Sequence, residues 1–132
     1  MKIAPASAAG QKLMSFGVTA QELDAASFLR LDWQFGSAVT LALPGGKCLV
    51  LIKGKYLEKD ETGGLRLTPA LGYFRHELCH VGQALRWGFF GYWRRHLWAR
   101  LKTRSILAKE SDAERPCYEA GAAARDALSP PS

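Results

Sequence analysis

Two histidines four residues apart, His76 and His80, stand inside a stretch with helix signals at both ends. Thr68-Pro69 reads as an N-cap followed by proline at the first helical position. Gly88 and Gly91 interrupt the pattern just after Trp87. The spacing therefore predicts a helix over 69–87. Residues four apart stack on one helix face, so the pair aims two imidazoles at one point. The rest of the fold has to supply whatever meets that face.

The surrounding pattern gives an α+β fold. Residues 19–31 carry helical spacing, with Leu23, Ala26, Phe28 and Leu31 on one face and Thr19 with Glu22 as a capping box. Two strands follow, over 37–43 and 47–53, joined by the turn signal Pro44-Gly45-Gly46. A short antiparallel β-hairpin is the simplest arrangement. A second long helix is expected over 92–108, after Gly88 and Gly91. A third begins near Ser111 or Asp112, with Pro116 close to its start because proline deeper inside would break a backbone bond. This gives three to four helices in all.

A chain of 132 residues, 48% hydrophobic, can build one domain around its own core. Residues 1–20 are small and polar and are expected to be loosely ordered. Residues 21–128 form the domain, and 129–132 a flexible tail. The three cysteines, Cys48, Cys79 and Cys117, are odd in number and form no C-x-x-C pair. That count speaks against a disulfide framework and for a reducing compartment. Cys79 faces away from the two histidines by helical angle and reads as a packing residue, as does Cys117. The start of the chain lacks a signal-peptide pattern, and the longest aromatic-apolar run is too short to span a bilayer. A cytoplasmic location is expected, with signal-independent export as the other route.

The chemistry lies in His76-Glu77-Leu78-Cys79-His80. Imidazole nitrogen is a good zinc donor at about 2.0–2.1 Å. Glu77, one residue after the first histidine, points slightly aside, toward a water that the metal polarises. From there a carboxylate can take a proton and later hand it to a leaving group. Catalytic zinc usually has three protein ligands, so a third must come from elsewhere. Glu114 and Glu119, on the last helix, are the candidates. Glu114 is favoured because the small Cys117 follows it three residues later, suiting close packing against the metal helix. A capping role with Ser111 is its rival. His96, the only other histidine, reads as a surface or packing residue. Gln83, on the same stripe as the histidines, is either a group that orients a ligand or contacts substrate, or a plain surface residue.

The run His76-Glu77-Leu78-Cys79-His80-Val81-x-Gln83 resembles the gluzincin branch of zinc metallopeptidases. More narrowly, it is similar to small bacterial metallopeptidase-like domains found with extracellular contractile injection systems. Those pair such a helix with a preceding β-hairpin and a later Glu-Arg-x-Ala-Tyr-like helix. Here Glu114-Arg115-Pro116-Cys117-Tyr118 stands in that place, with Cys117 for the usual alanine and Pro116 as a departure. The resemblance covers about 37–124. It implies a zincin-like domain, a zinc ion and a peptide or protein substrate. The metzincin pattern is excluded, since Arg86 stands where its third histidine would be and Gln83 where its glycine would be.

Net charge is +6, and its distribution is uneven. Arg86, Arg94, Arg95, Arg100, Lys102 and Arg104 fall in one segment without an acid, interleaved with aromatic residues. Phe90, Trp93, Leu97 and Leu101 have the spacing of a core-facing stripe. Arg94, Arg95 and Lys102 would then form an exposed basic surface. An anionic membrane or an acidic protein would suit such a surface; nucleic acid ranks behind both. The competing functional reading is a non-catalytic zinc-stabilised module that docks through residues 86–104.

Overall fold

The protein is an α+β domain, described by a computed structural model. The structure describes residues 1–32, 38–59, 61, 64–65, 67, 70–103 and 114–127, with the side chains of 99–103 excepted. The expected cap at Thr68-Pro69, the expected helix start at Ser111 or Asp112, and the tail 129–132 lie outside these residues.

Among the described residues, three strands make one sheet: β1 (Ala26–Arg30), β2 (Ala38–Leu43) and β3 (Lys47–Ile52). Their order is β1-β3-β2, with β3 central. The β2–β3 hairpin is antiparallel and turns at Gly45 and Gly46, both at positive φ, where glycine carries no steric cost. β1 pairs with β3 in parallel, with Phe28 opposite Val50.

β1 corrects the helix expected over 19–31. The capping box is present, with Thr19 and Glu22 bonding each other's backbone, but its helix α2 (Ala20–Ala25) stops after six residues. Beyond it Ala26 and Phe28 alternate inward as in a strand. Helical and strand spacing coincide over so short a run, and the pairing offered by β3 decides between them.

The N-terminal residues also differ from expectation. Instead of being loose, they form α1 (Ala8–Ser15), capped by the Ser7 side chain. Ile3, Leu13 and Val18 are buried in the core, and the N-terminal ammonium donates to the Phe28 carbonyl at 2.8 Å. A few well-spaced apolar residues anchor the segment despite its small, polar composition.

The core lies between the sheet and the long helix α3 (Leu71–Thr103). Phe28, Val50 and Ile52 meet Phe74, Leu78 and Val81, and the Phe28 and Phe74 rings stand 5.4 Å apart. α3 contains a break at Gly88, with φ 74 and ψ 174, so it is two helical halves in series. That matches the two helices expected on either side of this glycine. α4 (Arg115–Ala127) packs along the first half, and Pro116 occupies its second position.

Candidate metal centre

The first half of α3 brings His76 and His80 together as their spacing requires. Their Nε2 atoms lie 3.2 Å apart. Glu114, just before the first turn of α4, completes a triangle. Its Oε2 is 3.1 Å from His80 Nε2 and 3.4 Å from His76 Nε2. These three residues form a group able to hold a metal ion. Glu119, the alternative acid, is exposed on α4.

Two glycines make this approach achievable. A Cβ on Gly121 would sit 2.7 Å from the Gly72 carbonyl oxygen and 3.2 Å from His76 Cβ. A Cβ on Gly72 would sit 3.0 Å from the Gly121 carbonyl oxygen. α3 and α4 therefore touch backbone to backbone one turn before His76, which carries Glu114 within reach of both histidines.

Gln83 lies at the site and is only 1% exposed. His80 Nδ1 donates to its Oε1 at 2.9 Å. That bond commits the Nδ1 proton and leaves Nε2 pointing at His76 and Glu114. Two imidazole nitrogens and a carboxylate thus converge on one point. The cluster needs a positive charge there, either an extra proton or a metal ion.

His96 takes the packing role expected of it, and does so at the edge of the cluster. Its Nε2 lies 3.3 Å from Gln83 Oε1 and its Nδ1 3.8 Å from Glu114 Oε1. Its ring packs on Tyr92 at 4.2 Å. The break at Gly88 resets the helical phase, so spacing from His80 gives no hint of this position.

The same reset corrects the expected core stripe in part. Trp93 packs on the core, but Phe90 and Leu97 are 84% and 57% exposed, and the Leu101 side chain lies outside the described residues. The inward residues are Tyr92, Trp93 and His96. Tyr92 donates its hydroxyl to the Thr40 carbonyl at 3.1 Å, and Trp93 its indole N–H to the Ala42 carbonyl at 3.1 Å. Both bonds tie the second half of α3 to β2. Arg94 and Arg95 are exposed as expected, with Arg95 over the Trp87 ring. The Lys102 side chain lies outside the described residues.

Glu77 stands beside the triangle. Its Oε2 is 3.8 Å from His76 Nε2, and the Thr40 hydroxyl lies 2.9 Å from its Oε1. The residue is 5% exposed. Burial pushes its carboxyl above the usual range, against the pull of His80, His76 and the Thr40 bond. Burial acts on Glu114 in the same direction, but hydrogen bonds and charge from His76 and His80 override it and hold that carboxyl well below its ordinary value. His80 is raised, because its bonds to Glu114 outweigh burial.

A disulfide joins Cys79 to Cys117, with Cα atoms 5.3 Å apart. This corrects the reading of both as unbonded packing residues. The pairing arises from the contact of α3 with α4, which no local spacing of cysteines reveals. Cys48 is the free, buried third cysteine.

No family model matches the chain, and comparison with curated proteins and solved structures finds no match either. Among the described residues, no helix is long and apolar enough to cross a membrane.

Proposed function

We propose that the protein is a zinc-dependent hydrolase acting on peptides or proteins, with His76, His80 and Glu114 as ligands and Glu77 as general base. The observation that carries this reading is the shape of the triangle. A tetrahedral ion with bonds of about 2.0–2.1 Å has its ligand atoms about 3.3 Å apart. The three edges measure 3.1, 3.2 and 3.4 Å. The resemblance of residues 76–83 to gluzincin metallopeptidases supports the same reading.

Bound there, zinc supplies a Lewis acid that polarises a carbonyl and acidifies water. The chain's own residues do the rest. Gln83 holds His80 in the tautomer that frees Nε2, and His96 sits against both Gln83 and Glu114. Thr40 fixes one oxygen of Glu77, leaving Oε2 on the His76 side to accept a proton. The raised carboxyl of Glu77 suits a group that must take a proton and give it back to the departing amine.

The test is elemental analysis with a peptide-library assay. About one zinc per chain, lost in His76→Ala and Glu114→Ala but kept in Glu119→Ala, is expected. Glu77→Gln should keep the metal and lose hydrolysis. Zinc-loaded protein without activity on any peptide would leave only a binding role.

One observation favours that second role. Phe90, Leu97 and Trp98 are exposed beside Arg94 and Arg95, the arrangement of a helix that lies on an anionic bilayer. Flotation with anionic vesicles, reduced by Arg94→Glu and Trp98→Ala, is the expected result. Binding to an acidic protein but to no vesicle would overturn the choice of a membrane.

A further inference from the structure

The Cys79–Cys117 bond has two unlike ends. Cys117 is fully buried, with its Sγ 3.5 Å from His80 Nδ1. Cys79 is partly exposed and lines a cleft of about 340 Å³ between α2 and α3. The charged groups facing that cleft are Arg75, Arg86 and Glu22. Arg75 donates Nε to the Phe16 carbonyl, which fixes its guanidinium at the cleft wall. Two guanidiniums against one carboxylate leave the cleft cationic. The Cys79 end of the disulfide is thus the one that borders a cleft, and the charge of that cleft favours an anionic reagent.

We propose that this disulfide is a thiol-exchange site, opened by an anionic low-molecular-weight thiol entering the cleft, and that opening it loosens the metal centre. The incoming thiolate attacks Cys79 Sγ. The Cys79–Cys117 bond breaks, and Cys117 leaves with the electron pair. A second thiolate then attacks the reagent-derived sulfur of the mixed disulfide, and Cys79 leaves with that bond's electron pair. The products are one oxidised thiol dimer and two protein thiols, so two electrons pass from reductant to protein.

The coupling to the metal centre rests on the zinc reading above. Cys79 is the neighbour of His80, and Cys117 lies three residues after Glu114. The disulfide therefore clamps the helix bearing two ligands to the helix bearing the third. Without it, the spacing rests on non-covalent contacts such as the Gly72–Gly121 approach and the His76–Tyr118 ring pair. In a reducing compartment the clamp would open; on oxidation it would close.

The experiment uses the full chain in its oxidised form. Reduction by mercaptoacetate, 2-mercaptoethanol and cysteamine is followed by alkylation and mass spectrometry, at equal thiolate concentration. Each rate is normalised to that thiol's rate on a small disulfide. The anionic thiol should be several-fold faster than the cationic one, with the transient adduct on Cys79. Arg86→Glu should reverse the order, and salt should flatten it. A charge preference that ignores both, or an adduct on Cys117, overturns the exchange site. Zinc affinity by chelator competition should then fall about tenfold or more on reduction, the scale on which supporting partners act. The double variant Cys79→Ser with Cys117→Ala should bind weakly whatever the reductant. Equal affinity in both redox states overturns the coupling. Absence of zinc in either state overturns the metal reading itself, a separate result, while the adduct and charge data still decide the exchange site.

Discussion

The two halves of α3 have similar lengths and opposite characters. In residues 71–87 the polar side chains of the cluster are buried or half-buried and partnered: His80 with Gln83, Glu77 with Thr40, His76 with Glu114. In residues 89–98 it is apolar groups that stand in solvent, Phe90 and Trp98 above all, beside the exposed Arg94 and Arg95. One residue separates the two regimes. At φ 74 and ψ 174, Gly88 occupies a region that essentially only glycine visits. The break turns the second half so that Tyr92, Trp93 and His96 face the sheet and the His76–His80–Glu114 cluster. A continuous helix would have given those places to other residues.

The largest expected effect tests the first half alone. Glu77→Gln should lower hydrolysis by about 10²–10⁴-fold, the usual weight of a general base, and leave zinc content unchanged. An unchanged rate, with metal retained, would remove Glu77 from the chemistry.

The hinge between the halves comes next. Gly88→Ala meets no neighbouring atom within 4 Å, so its cost is conformational alone. It should destabilise the fold by about 1–3 kcal/mol in a urea titration. It should also weaken zinc binding, because His96 would lose its place. Wild-type affinity in this variant would show that the second half contributes nothing to the site.

Across the junction, Gln83→Ala and His96→Ala should each reduce zinc affinity by about 10–100-fold, read by chelator competition. Their double variant should show less than the sum, since both act through Gln83 Oε1 and Glu114. Full additivity would mean that the two halves act independently.

The pH dependence of the metal-free protein sharpens the contrast further. His80 is raised in the fold, so its stabilisation is complete below the ordinary imidazole value of 6.5 and is lost as pH rises through the raised value. The raised carboxyl of Glu77 adds to the loss on the alkaline side. Glu114 is depressed, so its stabilisation is present above the ordinary 4.5 and is lost as pH falls through the depressed value. Metal-free protein should therefore unfold at the highest urea concentration in mildly acidic buffer. Saturating zinc should remove the alkaline decline, because the ion takes over the proton's position. An alkaline decline that zinc leaves untouched would contradict the site.

The smallest effect belongs to the outer face. Phe90→Ser and Trp98→Ala should change stability by no more than about 0.5 kcal/mol, because neither side chain is buried. A large loss would mean that the face packs on something within the chain.

The same contrast explains what could be read from the sequence. The pairing of His76 with His80 and the β-hairpin followed from local spacing, because helix period and turn chemistry act over a few residues. Glu114 and Glu119 stayed open because five residues along a helix change the face by more than a quarter turn. The Gly72–Gly121 approach and the Cys79–Cys117 bond, both between distant parts of the chain, set which acid reaches the histidines. His96 was hidden behind the phase reset at Gly88. The strand Ala26–Arg30 depends on β3, some twenty residues later, and its own composition is neutral between helix and strand. The disulfide depends wholly on which helices meet.

On the zinc reading proposed above, the glycine contact would also bear on which ion the cluster prefers. Side chains can shift rotamers to absorb a change of fit, but two backbones in contact have no such freedom. The separation of the two helices is thus limited by atoms that do not adjust. A triangle with edges near 3.3 Å accommodates bonds of about 2.0–2.1 Å; calcium, at about 2.3–2.6 Å, would force the helices apart. A methyl group added at position 72 or 121 would act as a shim, moving the carboxylate outward and the preference toward larger ions.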